Sequence, residues 1–142
     1  MTNAVSKHIF ALMAKILLIE DDKVQADVYL TRILAEDYGA AWAMDGELGL
    51  RMALENHPTV IVLDIMMPKM DGIKVLEELR KDPWGAKVPV IILTNLDPTN
   101  ELTDKAYKNS ASYFLLKQAT EPKLLIEKIN EILAKLQQEN SI

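Results

Sequence analysis

Five short apolar runs punctuate the chain, at residues 16–19, 40–44, 60–63, 90–93 and 113–116. They are too short for helices and mostly rich in β-branched residues, so they read as strands. The segments between them switch to helical spacing. Ala26, Leu30, Ile33 and Leu34 share one face of the first, and Leu50, Ala53 and Leu54 share one face of the second. Val75, Leu76 and Leu79 mark the third, and Leu102 and Ala106 a short fourth. Leu125, Ile129, Ile132, Leu133 and Leu136 stripe the fifth. Asp97 followed by Pro98 fits a helix start, a capping acid before proline at the first helical position, and Thr120 can cap the last helix. Strand alternating with helix five times predicts an α/β, doubly wound parallel sheet covered on both faces. Right-handed crossovers then bring every strand C-terminus to one edge, where sheets of this class bind ligands.

That edge collects the candidate chemistry. Glu20, Asp21 and Asp22 follow the first strand directly, and Asp64 follows the third. If those strands are neighbours, the acids converge. Two like charges 4 Å apart repel by roughly 4 kcal/mol at an effective dielectric near 20, so such a cluster needs a compensating cation. An acid-rich site with oxygen ligands alone suits Mg²⁺. Thr94 ends the fourth strand and Lys117 follows the fifth. A hydroxyl and an ammonium are donors suited to an incoming phosphoryl group. Each residue alone has an ordinary reading. The acids after the first strand can cap a helix, Asp64 can serve the turn before Pro68, and Lys117 can be a surface lysine. Their joint occurrence at strand C-termini is what those readings do not predict.

Composition narrows the classes. The 142 residues suffice for one compact domain, and 49% hydrophobic with 26% charged residues is ordinary for a globular protein. A net charge of −5, with no basic run, disfavours direct binding to nucleic acid or an anionic membrane. The chain lacks cysteine, which excludes disulfides and thiolate sites and fits the cytoplasm. No apolar run approaches the roughly 20 residues of a membrane span. Residues 1–12 read as an N-terminal extension and 13–142 as the domain. Val5, Ile9, Leu12 and Met13 can line one face of a short helix in that extension. His8 lies in the extension and His57 in a polar loop before the third strand, and Trp42 and Trp84 read as packing or surface residues.

The stretches ILLIEDD, VIVLDIMMPKMDG, VPVIILT and SYFLLK, in this order and spacing, resemble the receiver domain of bacterial two-component response regulators. The resemblance runs from about Lys15 to Leu136, and VIVLDIMMPKMDG is its most specific part. It implies a flavodoxin-like, five-stranded parallel sheet of order 2-1-3-4-5. Carried over position by position, it makes Asp64 the phosphoacceptor. Glu20 and Asp21 become the acidic pair that holds Mg²⁺, Asp21 directly and Glu20 through water, with the backbone carbonyl of Met66 as a further ligand. Thr94 becomes the switch hydroxyl, Lys117 the phosphate-contacting lysine and Phe114 the rotameric switch aromatic. The implied function is a stand-alone, phosphorylation-dependent signalling module rather than a metabolic enzyme. Its implied partners are a sensor histidine kinase or phosphotransfer protein and an unknown downstream protein.

Two positions depart from the family pattern. Gln118 stands where proline, often with a cis bond, usually follows the lysine, so a trans bond is expected. Asn95 stands where a small residue usually follows the threonine. On the rim, Met66 and Leu96 are apolar and cannot orient an attacking water, which predicts slow loss of phosphate. Two other readings stand beside this one. A haloacid dehalogenase-type phosphohydrolase also uses strand-end acids, but an Asp-x-Asp motif is missing after the first strand, where Glu20 stands, and at Asp64. A pseudo-receiver would keep the fold and bind partners without being phosphorylated.

Overall fold

In the computed structural model, residues 14–97 and 101–139 are described. The extension, Met13 and Pro98 lie outside them. Five parallel strands carry the fold: β1 (Lys15–Ile19), β2 (Gly39–Ala43), β3 (Val60–Leu63), β4 (Val90–Thr94) and β5 (Tyr113–Leu116). Their spatial order is β2-β1-β3-β4-β5, as expected. Five helices connect and flank them: α1 (Lys23–Leu34), α2 (Gly46–Asn56), α3 (Gly72–Arg80), α4 (Glu101–Lys108) and α5 (Pro122–Glu139). A single 3₁₀ turn, Lys117–Ala119, follows β5.

The continuous apolar runs have a direct cause. Helices cover both sheet faces, so successive strand residues are buried on alternate sides. Ile16, Leu18, Val60, Val62, Ile91 and Leu93 meet α1 and α5 through Ala26, Ile33, Leu125 and Ile129. Leu17, Ile19, Ile61, Leu63, Val90 and Ile92 meet α2, α3 and α4 through Ala53, Val75, Leu76, Leu79 and Ala106. Acids start three helices by accepting backbone N–H bonds: Asp22 from Val24 and Gln25, Asp45 from Leu48, and Asp71 from Lys74. Each such cap contributes about 1 kcal/mol.

Three local expectations shift. Leu34 and Leu54 are exposed rather than facing the core. In α1 the buried stripe is Ala26, Tyr29 and Ile33, with Leu30 half-buried against the same core, so an amphipathic tyrosine joins the face that hydropathy alone assigns to leucine. In α2 the stripe is Gly46, Gly49 and Ala53, because the helix lies so close to β1 that a Cβ on Gly49 would fall 2.6 Å from Ile19. Thr120 does not cap α5. The helix opens at Pro122, one position beyond Glu121, with proline in its favoured first-turn place.

Two features stiffen the loops that frame the C-terminal edge and its opposite end. The guanidinium of half-buried Arg80 donates to the carbonyls of Asn109 (2.8 Å), Gly85 (2.7 Å), Val88 (2.8 Å) and Ser110 (3.2 Å). It thereby ties the end of α3 to the loops before β4 and β5. At the other edge, Gly72 donates its N–H to the Ile65 carbonyl at 2.9 Å. A Cβ on Gly72 would lie 2.7 Å from the Ile65 Cα and press on the Asp64 carbonyl. Those neighbours are backbone and cannot turn away. Gly72→Ala is therefore expected to destabilise the domain by about 1–3 kcal/mol, read from urea unfolding. A midpoint unchanged from wild type would show that the β3–α3 loop yields more easily than this packing implies.

Candidate functional site

Strand register builds the site. Ile19 pairs with Leu63, so the next residues, Glu20 and Asp64, emerge side by side. On the far side of β3, Thr94 pairs with Leu116, which places Lys117 just past the threonine. Glu20, Asp64 and Thr94 are all buried, with relative exposures of 1%, 5% and 0%. Asp21 is exposed at the rim. One ligand oxygen from each of Glu20, Asp21 and Asp64 lies within 4.8 Å of the others.

The Lys117 ammonium occupies the centre. It donates to Glu20 Oε1 and, at 3.0 Å, to Asp64 Oδ2, and its side chain is only 9% exposed. The other oxygens are also engaged. Asp64 Oδ1 accepts the Met66 backbone N–H at 3.2 Å, and Glu20 Oε2 accepts that of Asp22 at 3.1 Å. Burial raises the Glu20 carboxyl above its ordinary value, and the Asp64 charge adds to the rise, against the lowering bonds from Lys117 and Asp22. Burial alone would lower Lys117, yet hydrogen bonds and attraction from Glu20 and Asp64 prevail and hold the ammonium above its ordinary value. The lysine therefore stays charged.

The charge count follows. Three carboxylates against one ammonium leave a formal charge of −2 in a largely buried pocket. The donors are all carboxylate oxygens, and one of them is open to solvent. Hard divalent ions with oxygen ligands and retained waters match that set. The cluster can hold such a metal ion.

Comparison with known proteins identifies the family. The family model for the response regulator receiver domain matches residues 16–130. The chain belongs to the response regulator receiver domain family. Response regulator PleD of Caulobacter vibrioides is 36% identical over 106 residues, 75% of this chain and 23% of that protein. The DNA-binding dual master transcriptional regulator RpaA of Synechocystis is 35% identical over 107 residues, 74% of this chain and 43% of that one. The chain thus spans less than half the length of these two curated relatives. Among solved structures, the receiver domain of Francisella response regulator 1452 superposes with a TM-score of 0.78 at 33% identity, covering 87% of this chain and 98% of that chain. A CheY-like receiver domain protein from Methanospirillum hungatei, at 24% identity, shows the same fold with a TM-score of 0.82, covering 89% of this chain and 98% of that one.

Within this receiver domain, the remaining predicted residues are placed as follows. Thr94 ends β4, and its hydroxyl accepts a long N–H contact from Leu96 at 3.4 Å. Phe114 is half-buried on β5, its ring centroid 6.0 Å from that of Tyr107 on α4. Met66 projects its side chain to solvent from the β3–α3 loop. Gln118 follows Lys117 through a trans bond, since none of the described peptide bonds is cis. Asn95, Gln118 and Lys117 share a shallow groove with Val24, Val28 and Tyr29 of α1.

The ordinary reading of the acids after β1, as caps of the next helix, holds for Asp22, one place past the acidic pair. One support had no such signal. Trp42, on edge strand β2, packs against the α1 and α5 side of the core and sends its indole N–H to the Glu20 carbonyl at 2.7 Å. An isolated tryptophan in an alanine-rich strand carries no sequence signal for such a bond.

Replacing the central cation tests the balance. Lys117→Met leaves buried carboxylates uncompensated, at a cost of about 3 kcal/mol. The melting temperature in EDTA should fall by several degrees. Mg²⁺ should then stabilise the variant more than the wild type, because less positive charge competes for the acids. Thermal scans with and without Mg²⁺ check both parts, and an equal or smaller Mg²⁺ increment would contradict the charge count.

Proposed function

We propose that this receiver domain accepts a phosphoryl group on Asp64 from a histidine kinase or phosphotransfer protein and passes the signal to a partner protein or along a relay. The observation that carries the proposal is the convergence of Asp64, Glu20 and Asp21 around the buried Lys117 ammonium. In this reading the domain is a signalling module acting in the cytoplasm and catalyses only its own phosphorylation and dephosphorylation.

Asp64 Oδ2 now faces the lysine, and Oδ1 is held by the Met66 N–H. One carboxylate oxygen would attack phosphorus in line with the P–N bond of a phosphohistidine. The new P–O bond forms as that bond breaks, and the imidazole leaves with the electron pair. Glu20, Asp21, Asp64 and the Met66 carbonyl would hold Mg²⁺, which supplies charge neutralisation at the phosphoryl oxygens. Lys117 reaches the same oxygens with a second positive charge, and the protein contributes mainly positioning and electrostatics. Thr94 Oγ1, held only by a long contact, would turn towards the new acceptor oxygens. Phe114 would rotate into the vacated space and alter the surface of α4, β5 and α5. This is a shift of population between two states of one domain.

Incubation with acetyl phosphate and Mg²⁺, followed by intact-mass measurement, tests the reading. Wild type should gain one phosphate and Asp64→Asn none. Equal labelling of both would remove Asp64 from the acceptor role, and no labelling of wild type would favour a pseudo-receiver. The apolar rim sets the lifetime. Met66 is 58% exposed and Leu96 half-buried, and neither can orient a water for attack. Polar substitutions at both positions should speed loss of the phosphoryl group on the order of tenfold, followed by mass or radiolabel decay. A rate that does not rise would dismiss this role for the rim.

A further inference from the structure

Glu20 is pinned at every polar atom. Its N–H donates to the Ala43 carbonyl at 3.1 Å, and its two carboxylate oxygens are taken by Lys117 and the Asp22 N–H. Its carbonyl oxygen accepts the Trp42 indole N–H at 2.7 Å. That carbonyl belongs to the peptide plane that leads into Asp21. On the far side of Asp21, the Asp22 side chain is committed to the first turn of α1 through Val24 and Gln25 at 2.9 and 3.1 Å. Asp21 is therefore bracketed between two fixed units while its own side chain is exposed. An exposed carboxylate has many rotamers, and only a fixed backbone keeps it aimed at its neighbours. Among the described residues, the indole is the one side chain that fixes the Glu20–Asp21 peptide by a hydrogen bond to its oxygen.

We infer that Trp42 is a positioning residue for divalent metal binding: its indole N–H holds the Glu20–Asp21 peptide plane so that Asp21 points into the acidic cluster. The inference rests on the metal-binding reading above and adds to it a residue on a strand that supplies none of the proposed ligands. The indole is well suited to the task. It is a donor only, so it cannot reverse the bond, and its ring is held against the α1 and α5 side of the core. Outer partners that orient metal ligands typically change affinity by tenfold or more when lost.

Trp42→Phe keeps the ring packing and removes the N–H. Its Mg²⁺ dissociation constant, from calorimetry on the unphosphorylated full chain, should rise about tenfold. A second measurement uses the wild type itself and does not depend on how the variant folds. Trp42 and Trp84 are the only tryptophans, so a ¹⁵N–¹H spectrum contains two indole signals. During Mg²⁺ titration the Trp42 signal should move with the calorimetric midpoint. The Trp84 signal, from a ring stacked on His57 at 4.3 Å, should stay in place. Trp84→Phe assigns the two. An unchanged dissociation constant in Trp42→Phe, or a Trp42 signal indifferent to Mg²⁺, would overturn the role given to Trp42 while leaving the metal site standing. Failure of the wild type to bind Mg²⁺ at all would instead overturn the metal site, and Trp42's role with it.

Discussion

One ammonium decides how this edge of the sheet is organised. Lys117 lies between Glu20 and Asp64 with almost no solvent access, and both contacts cross strands that are far apart in sequence. Two buried carboxylates without it would repel each other and keep the cost of lost hydration. At 3 Å, a unit pair attracts by about 5–6 kcal/mol at an effective dielectric near 20, which is comparable to the desolvation penalty it must offset. The arrangement is therefore close to balanced rather than strongly stabilising. A closely balanced site is one whose charge state a ligand can change.

Much of the architecture was legible because a parallel sheet covered on both sides imposes a plain code. Val60 to Leu63 are all buried, and so are Val90 to Thr94, so neither strand needed alternation to be recognised. The helices were harder. Period alone could not separate Leu30 from Tyr29, or foresee that Leu34 and Leu54 would face water, because the inward direction of a helix depends on where its neighbours stand. Gly49 is the clearest case. Hydropathy gives glycine no weight, yet its missing side chain is what lets α2 approach Ile19. Arg80 is similar, since a guanidinium serving four carbonyls from two loops has no linear signature.

The positions of the site were legible for a different reason. Parallel strands all end at the same edge, so the residue after each apolar run is placed by topology before any contact is known. Glu20, Asp64, Thr94 and Lys117 needed only the strand order to come together. What topology could not supply was the supporting layer. The indole bond of Trp42 acts on a backbone carbonyl, and backbone groups look alike in every sequence. The departures at Asn95 and Gln118 proved to be neighbours across one groove beside Lys117, which two separate loop positions did not announce.

The same placement suggests why a change at Asp64 would be felt on one side of the molecule. On the proposed reading, Lys117 must leave Glu20 in part to follow a phosphoryl group, and Lys117 is the direct continuation of β5. That strand has four residues, one neighbour and a mostly half-buried face. The flanking helix α4 buries only Thr103 and Ala106. By contrast, β1 and β3, which carry the acids, are paired on both sides and sealed in the core. A pull applied between these two halves moves the half with less buried contact, because displacement there forfeits less packing. Phe114, three residues before Lys117 on that yielding strand, would then be the side chain whose surroundings change first, and its ring contact with exposed Tyr107 would carry the change to the surface.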